Sequence, residues 1–330
     1  DLEIIAFGTH LNKDFGYTTN EIIKMGFPVK HKIITKTQNN KPIDISSSIG
    51  HSIISFAEFW STSNFDLVFA LGDRYEMFAA VSAASPFNID IAHIHAGETT
   101  LGAIDNMYRH CISLMAKYLF VTTQTYKNRA AKIVENPDFV FNVGALSIDN
   151  LVHEKLYSKE EFFRHFSIDL NIPSILTTFH PETVNYQKNE LYIMELLKAL
   201  NTLKEDFQII ITMPNSDTMG NMIREKINTF SKNKSKVKVV ESFGMKGYLS
   251  CIKECSLLLG NTSSGFVEAA FFPKWVINLG ARQDGRIITD NIISSSISAE
   301  SILKSIELLN NKKIAKKIKI YGNGRASDNI

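Results

Sequence analysis

The chain has 330 residues, which at about 100–200 residues per domain suggests two domains. Its 36 Lys and Arg residues nearly balance its 34 Asp and Glu residues, and the net charge of +2 argues against a general binder of nucleic acid. The 44% hydrophobic fraction is typical of a globular protein. No apolar run reaches the ~18–20 residues that span a bilayer, and three cysteines without a C-x-x-C pair disfavour a disulfide framework or a zinc site. We expect a cytoplasmic protein that is neither a membrane protein nor a metalloprotein.

The predicted elements form two series of short apolar runs with helical patterns between them. Predicted strands of the first series cover residues 2–7, 67–71, 89–94, 118–121 and 139–143, and those of the second cover residues 174–178, 208–212, 236–240, 257–259 and 275–279. Predicted helices cover residues 50–59, 103–116, 189–203, 220–231 and 299–309. Most of the runs are continuously apolar, which is typical of parallel strands covered on both faces.

Strand–helix alternation that occurs twice predicts an α/β protein with two doubly wound, Rossmann-like domains. A charged stretch at residues 154–164 separates the two series of strands. We therefore predict an N-terminal domain at residues 1–160 and a C-terminal domain at residues 161–330.

Polar residues that directly follow strands indicate the site, because ligands bind beyond the carboxyl ends of the strands in open α/β sheets. The first domain has six such residues: Asp73, Arg74, His95, Glu98, Asp105 and Arg109. Asp105 and Arg109 are four residues apart on a predicted helix and share one face of it. Carboxylates and imidazoles in one cluster suit general acid–base chemistry. The alternative is a turn and a helix salt bridge without a catalytic role.

The second domain carries residues that suit an anion. His180 follows the predicted strand at residues 174–178. Glycines and small hydroxyl residues at 260–265 form a strand-to-helix turn, where backbone N–H groups favour a diphosphate, and Glu268 would accept ribose hydroxyls. The alternatives are a core histidine and an ordinary capped helix. Neither a GxxxxGK[ST] loop nor a GxGxxG turn after a strand is present, so the motifs support neither ATP nor NAD as a ligand.

Several segments together resemble the hydrolysing UDP-N-acetylglucosamine 2-epimerases of bacterial sialic acid and legionaminic acid pathways. The segments are Gly8-Thr9-His10-Leu11, Gly72-Asp73-Arg74-Tyr75-Glu76-Met77, His93-Ile94-His95-Ala96-Gly97-Glu98-Thr99, Gly102-Ala103-Ile104-Asp105 with Arg109-His110, Phe179-His180-Pro181-Glu182-Thr183, Gly260-Asn261-Thr262-Ser263-Ser264-Gly265 with Glu268, and Asn278-Leu279-Gly280-Ala281-Arg282-Gln283-Asp284-Gly285-Arg286. They occur in the family's order across nearly the whole chain, and the last two are the specific ones.

The resemblance implies a glycosyltransferase-B-like architecture, in which two Rossmann-like domains hold a UDP-sugar in a cleft. It also implies a reaction in which UDP-N-acetylglucosamine loses UDP by elimination across C1–C2. Water then adds to the 2-acetamidoglucal with inversion at C2 and releases N-acetylmannosamine. The elimination needs no redox cofactor, so we predict no cofactor and no metal. Cations and helix-end N–H groups would stabilise the charge that grows on the leaving UDP.

The resemblance assigns roles residue by residue. The catalytic residues it implies are Asp73, His95, Glu98, Asp105 and His180. The substrate-binding residues it implies are His10, Arg74, Arg109, Asn215, Phe243, Thr262, Ser263, Ser264, Gly265, Glu268 and Arg282. The 262–265 turn would hold the diphosphate with the help of His180 and Arg282, and Asn215 and Phe243 would lie near the uracil. Some members carry a catalytic Glu where this chain has His95, so that role falls to His95 or to Glu98.

The family also has a strand, a Gly-Thr-Arg loop and a helix ahead of the strand at residues 2–7, and its final helix continues past Ile330. We therefore expect that the first strand–helix unit is missing here and that the final helix is truncated. Such a chain would leave a strand of the first sheet unpaired.

Other functions remain open within this fold. The same reaction can act on UDP-2,4-diacetamido-2,4,6-trideoxyglucose, whereas a non-hydrolysing 2-epimerase returns UDP to the sugar and a retaining glycosyltransferase uses an acceptor. A sugar-nucleotide binder without catalysis is a further alternative. The stretch from Gly97 to Asp105 favours the hydrolysing branch. The resemblance also implies a homodimer or homotetramer.

Overall fold

The computed structural model describes residues 1–13, 16–35, 41–215, 217–309, 312 and 317–330. The chain divides into two compact units. Unit 1 comprises Asp1–Glu98, Ile104–Val143 and Ile330, and unit 2 comprises Thr99–Ala103 and Gly144–Asn329. This division after Val143 lies ahead of the predicted boundary at residue 160, because the helices that follow Val143 pack against helices of unit 2.

Unit 1 alternates parallel strands with helices. Its elements are β1 (Ile4–Phe7), α1 (Thr19–Lys24), β2 (Val29–Ile33), α2 (Pro42–Ser61), β3 (Val68–Leu71), α3 (Tyr75–Ala84), β4 (Ile91–Ile94), α4 (Asp105–Met115), β5 (Tyr118–Val121), α5 (Gln124–Val134) and β6 (Val140–Asn142). Strands β3-β4-β5-β6 form one sheet in that order, and β1 pairs with β2 in a second sheet. Every pairing is parallel, as the continuous apolar runs predicted.

Strand β2 was not predicted from the sequence. Its three half-buried residues, Val29, His31 and Ile33, alternate with two exposed lysines. A strand with one buried face shows this alternation, whereas the prediction relied on continuous apolar runs. The predicted strands of the first series are otherwise present, with ends shifted by one or two residues.

An open groove separates β1 from β3. A cavity of about 840 Å³ lies there, lined by Ile5 and Phe7 of β1, by Val68 and Phe69 of β3, and by Trp60 of α2. Side chains from both sheets join one hydrophobic cluster with α2 and α3, so the two sheets share a helix layer. No described strand pairs with the edge of β1 or of β3 at this groove. Within the described residues, β1 and β3 therefore each leave one edge unpaired at this groove.

Unit 2 is a doubly wound α/β sheet. Its elements are α6 (Leu146–His153), α7 (Lys159–Phe166), β7 (Ser174–Thr178), α8 (Asn189–Leu203), β8 (Gln208–Thr212), α9 (Gly220–Ser231), β9 (Val237–Val240), α10 (Gly244–Glu254), β10 (Leu257–Gly260), α11 (Glu268–Phe271), β11 (Trp275–Leu279), β12 (Ile292–Ser295), α12 (Ala299–Glu307) and α13 (Ala326–Asn329). The parallel strands follow the order β12-β11-β10-β7-β8-β9. Chain order reverses between β7 and β10, which is the switch point where such sheets bind ligands.

The predicted helices differ in how closely they match the structure. Helices α8 and α9 match their predicted bounds, whereas α2 begins at Pro42 rather than at residue 50. Proline in the first turn is compatible with a helix start, because its missing N–H has no partner there. None of the described helices is long and apolar enough to cross a bilayer.

Candidate functional site

Asp73 and Arg109 form an ion pair in unit 1. Gly72 has a φ of +86°, which lets the chain turn directly after β3 and places Asp73 at the carboxyl end of that strand. Nη2 of Arg109, on α4, donates to Oδ2 of Asp73. The Arg109 side chain is 4% exposed and that of Asp73 is 22% exposed, so a buried cation holds a more accessible carboxylate. Asp105, predicted on the same helix face as Arg109, is buried in the first turn of α4.

Arg74 is held by Glu76, a residue absent from the predicted site. Nε and Nη2 of Arg74 donate to the two carboxylate oxygens of Glu76 at 3.1 and 3.3 Å. Glu76 is buried at the start of α3. It packs against Gly8, where an added Cβ would lie 3.2 Å from Cγ of Glu76. A side chain at position 8 would therefore displace the carboxylate that orients Arg74.

His10 lies in a 3₁₀ turn directly after β1. Its Nδ1 is 2.7 Å from Oγ1 of Thr18. Burial lowers the pKa of His10, which favours the neutral imidazole.

His95 and Glu98 form a hydrogen-bonded pair. Nδ1 of His95 lies 2.9 Å from Oε1 of Glu98, and the hydroxyl of Thr122 donates to the same oxygen at 3.2 Å. Glu98 is 3% exposed. His95 has a φ of +67°, a conformation that costs free energy in a residue with a side chain and that clusters at functional sites. The structure thus joins the two residues between which the sequence left one catalytic role open, in the arrangement of a carboxylate that orients an imidazole.

His180 follows β7 in unit 2 and is clamped by Asn261. Its backbone N–H donates to Oδ1 of Asn261 at 2.7 Å, and Nδ2 of Asn261 donates to its carbonyl at 2.8 Å. Asn261 is fully buried and directly precedes the 262–265 turn. The backbone N–H of Asn215 donates to Nδ1 of His180 at 3.2 Å. In the neutral ring Nδ1 is therefore the acceptor, and Nε2 carries the hydrogen.

The predicted diphosphate turn is a 3₁₀ turn over Ser263–Gly265 that leads into α11. Oγ1 of Thr262 accepts the N–H of Ser264 at 3.4 Å. A Cβ on Gly265 would lie 2.8 Å from Val276, so only glycine lets the turn pack this closely on β11. Glu268 is the first residue of α11.

Tyr248, on α10, was missed by the sequence analysis. Its hydroxyl bonds with the side chains of Thr178, Ser264 and Thr262, and burial raises its pKa. The tyrosine therefore ties the turn to the end of β7.

Arg282 lies in a buried network within unit 2. Its Nη2 donates to Oδ2 of Asp217 at 2.8 Å, and its Nη1 donates to the carbonyl of Pro181. Arg282 and Asp217 are 7% and 5% exposed. Nδ2 of Asn215 donates to the same carboxylate oxygen at 2.8 Å. Arg282, which the resemblance assigns to the diphosphate, is thus linked to Asn215 through the carboxylate of Asp217.

The two residues predicted near the uracil have different surroundings. Phe243 is 6% exposed and packs against Phe162 and Phe166, with ring centroids 5.3 and 4.8 Å apart. Its ring is thus part of an aromatic cluster with α7. Oδ1 of Asn215 is buried and accepts no hydrogen bond within the described part of the chain. A buried acceptor without a donor is costly, and it fits a ligand that brings an N–H group.

Three further residues outside the predicted site share one signal. His93, Glu76 and Asn261 are polar residues inside or directly beside apolar strands and helix starts, and all three are buried. Buried polar groups are hydrogen-bonded, so such residues indicate a network even when the partner cannot be read from the sequence. Among the residues that the structure describes, no three His, Cys, Asp or Glu side chains are arranged to hold a metal ion.

The chain is similar to known 2-epimerases over most of its length. The sequence pattern of the family described as UDP-N-acetylglucosamine 2-epimerase matches residues 1–330. A GDP/UDP-N,N'-diacetylbacillosamine 2-epimerase (hydrolyzing) from Campylobacter jejuni is 37% identical over 298 residues, which are 90% of this chain and 77% of that protein. A UDP-N,N'-diacetylbacillosamine 2-epimerase (hydrolyzing) from Legionella pneumophila is 33% identical over 328 residues, which are 99% of this chain and 86% of that protein.

The fold also matches a solved structure. The crystal structure of UDP-GlcNAc 2-epimerase from Neisseria meningitidis bound to UDP-GlcNAc superposes with a TM-score of 0.83 at 18% identity, covering 99% of this chain and 89% of that one. This likeness confirms the predicted α/β, glycosyltransferase-B-like fold class.

Proposed function

This chain belongs to the UDP-N-acetylglucosamine 2-epimerase family, and on that premise we propose that it is a hydrolysing 2-epimerase. Its substrate is a UDP-linked 2-acetamido sugar. Its products are UDP and the free sugar inverted at C2. Unit 2 binds the nucleotide in this proposal, and unit 1 supplies the groups that transfer protons.

The observation that carries the proposal is the Asn261 clamp in unit 2. Asn261 fixes the backbone of His180 with two hydrogen bonds of 2.7 and 2.8 Å, and it directly precedes the 262–265 turn. An imidazole donor is thereby anchored to the turn whose N–H groups suit a diphosphate. Nδ1 of His180 accepts the N–H of Asn215, so the hydrogen of the neutral ring lies on Nε2, and we assign that hydrogen to an anionic oxygen of the diphosphate. Such an arrangement stabilises the charge of a departing UDP.

The proposed reaction has two balanced steps. In the first, the C1–O bond to UDP and the C2–H bond break, the C1–C2 double bond forms, and the C2 proton passes to a base. In the second, the oxygen of water bonds to C1, its proton passes to a base, and an acid delivers a proton to the opposite face of C2. No electron acceptor and no metal enters this balance, so the proposal includes no cofactor.

Unit 1 supplies the proton carriers. They are Asp73, Asp105 and the hydrogen-bonded pair of His95 and Glu98. Glu98 is nearly fully buried and bonded to His95, which suits a dyad that changes its protonation state during turnover. Arg109 holds the carboxylate of Asp73 in place. Glu76 holds the guanidinium of Arg74 in place. We assign His10 and Arg74 to the binding of the sugar or the phosphate.

We assign Asn215 to recognition of the uracil. Its buried Oδ1 is an acceptor without a donor in the described residues. Uracil carries one N–H in its Watson–Crick edge, which matches one amide oxygen. Glu268, at the first position of α11, is assigned to the ribose hydroxyls.

There are two candidate substrates, which differ in the sugar. The sequence resemblance favours UDP-N-acetylglucosamine. The relatives at 33% and 37% identity are named for UDP-N,N'-diacetylbacillosamine, which carries a second acetamido group at C4 and lacks the C6 hydroxyl. A third relative, at 31% identity, is named polysialic acid biosynthesis protein P7. We therefore propose the diacetamido sugar as the second candidate and give it equal weight in the test.

The test supplies each UDP-sugar separately and follows the products by phosphorus and proton NMR. Free UDP together with the free 2-epimerised sugar supports the proposal, and the ratio of kcat/KM values identifies the substrate. A UDP-sugar inverted at C2 would instead identify a non-hydrolysing enzyme. UDP release only in the presence of an acceptor sugar would identify a glycosyltransferase, and binding without turnover of either sugar would contradict catalysis.

We further propose that the protein acts in the cytoplasm as a homodimer or homotetramer. UDP-sugars are cytoplasmic metabolites, and the resemblance implies this assembly. Light scattering of the purified protein measures the mass directly, and a mass near the 37.1 kDa of one chain would contradict the assembly.

A further inference from the structure

His93 is a fully buried histidine for which the proposed reaction has no role. It is the third residue of β4, and its side chain is 0% exposed. A polar ring at such a position requires partners, because an unpaired buried group is costly. Nε2 of His93 lies 2.8 Å from the carbonyl oxygen of Gly72, and Nδ1 lies 3.0 Å from Oγ of Ser113.

The two partners of His93 belong to the two elements that carry the Asp73–Arg109 pair. Gly72 directly precedes Asp73 in the turn after β3. Ser113 lies on α4 one helical turn after Arg109, and its hydroxyl is 3.0 Å from the Arg109 carbonyl. One imidazole on β4 thus connects the backbone beside the carboxylate with the helix that carries the guanidinium.

The bonds determine the tautomer of the ring. A carbonyl oxygen only accepts hydrogen bonds, so Nε2 carries a hydrogen and donates it to Gly72. Burial is the main reason that the pKa of His93 falls to about 4, and the ring is therefore neutral near pH 7. Nδ1 is then an acceptor, and the single hydrogen of the Ser113 hydroxyl is shared between this nitrogen and the Arg109 carbonyl oxygen.

We propose that His93 is a positioning residue that holds the Gly72 carbonyl and α4 at a fixed separation, and thereby keeps Asp73 and Arg109 aligned for proton transfer. The inference rests on the proposed function, because Asp73 and Arg109 are the groups that it aligns. The ring itself is buried and contacts no substrate in this role. A small displacement of such groups has a large effect on rate but little effect on nucleotide binding, which belongs to unit 2.

The test compares three variants of the full chain. His93→Leu removes both hydrogen bonds at similar volume. His93→Gln retains a side-chain amide N–H that can reach the Gly72 carbonyl. Ile91→Ala, two residues earlier on β4 and 2% exposed, is the matched control that weakens the same core without touching either bond. The measurements are kcat, KM, the Kd of UDP, and hydrogen exchange at the backbone amides of residues 72–74.

The proposal predicts that His93→Leu lowers kcat about 10- to 100-fold and leaves the Kd of UDP unchanged. His93→Gln restores most of kcat, and Ile91→Ala retains kcat despite its lower melting temperature. Amide exchange at residues 72–74 accelerates in His93→Leu alone. Wild-type kcat in His93→Leu, or equal losses in His93→Leu and Ile91→Ala, would overturn the proposal. If the wild type turns over neither sugar, the proposed function fails, and the amide exchange still decides whether His93 positions the turn.

Discussion

The N–H of Asn215 donates to Nδ1 of His180 over 3.2 Å, although the two residues are 35 positions apart in the sequence. This bond leaves the hydrogen of the neutral ring on Nε2. In the proposed function, this Nε2–H donates to an anionic oxygen of UDP. The relationship defines the role that we assign to His180, which is stabilisation of the leaving diphosphate.

His180→Ala removes the proposed donor to UDP. We expect kcat to fall at least ~100-fold, the scale of losing one such group. His180→Gln, which retains a side-chain N–H, should retain more activity than the alanine variant. Steady-state kinetics of both variants, with circular dichroism to confirm folding, provide the check. Near-native activity in the alanine variant would refute the role of His180.

His95 and Glu98 should behave as one functional unit, because Nδ1 of His95 and Oε1 of Glu98 are 2.9 Å apart. We expect His95→Gln and Glu98→Gln each to lower kcat about 100-fold, and the double variant to be only slightly worse than either one. A double-mutant cycle on kcat/KM measures the coupling. Fully multiplicative losses would show that the two residues act independently.

The buried state of His93 predicts a dependence of stability on pH. Its folded pKa of about 4 lies below the usual 6.5, so the unfolded chain binds a proton between these values and the folded chain does not. Stability contributed by the neutral ring is complete above about pH 6.5 and declines as the pH falls, by about 3 kcal/mol near pH 4. Urea unfolding from pH 7 to 4 measures the slope, which should be shallower in His93→Gln. Equal slopes in both proteins would contradict the buried neutral ring.

Arg282 and Asp217 form a buried ion pair at 2.8 Å, with side chains only 9% and 6% exposed. Arg282→Met leaves the carboxylate of Asp217 buried without its cation, and we expect a loss of about 3–5 kcal/mol in the free energy of unfolding. Arg325→Met breaks an exposed pair with Asp328 and should cost less than about 1 kcal/mol. Denaturant unfolding compares the two variants. Equal losses in the two variants would contradict the expected cost of burying Asp217 without its cation.

Parallel strands and the motif turns were predictable because both are local in sequence. Continuous apolar runs identified the buried strands, and the residues directly after them identified Asp73, His180 and the 262–265 turn. Strand β2 was not predictable in that way, because its lysines alternate with half-buried residues.

Contacts between residues that are distant in the sequence were harder to predict. The sequence placed Arg109 on a helix face with Asp105, whereas the structure shows its bond to Asp73, 36 positions away. The Asn261 clamp joins residues 81 positions apart. Such contacts depend on how strands are ordered in the sheet, which local periodicity does not specify.

The most direct test of the central claim is proton NMR of the reaction in D₂O, with each UDP-sugar as substrate. Elimination followed by hydration predicts free UDP and a free, C2-inverted sugar that carries deuterium at C2, because the second proton comes from solvent. Release of a sugar that retains its original C2 hydrogen would contradict the elimination. Formation of a C2-inverted UDP-sugar without free UDP would contradict the hydrolysing reaction.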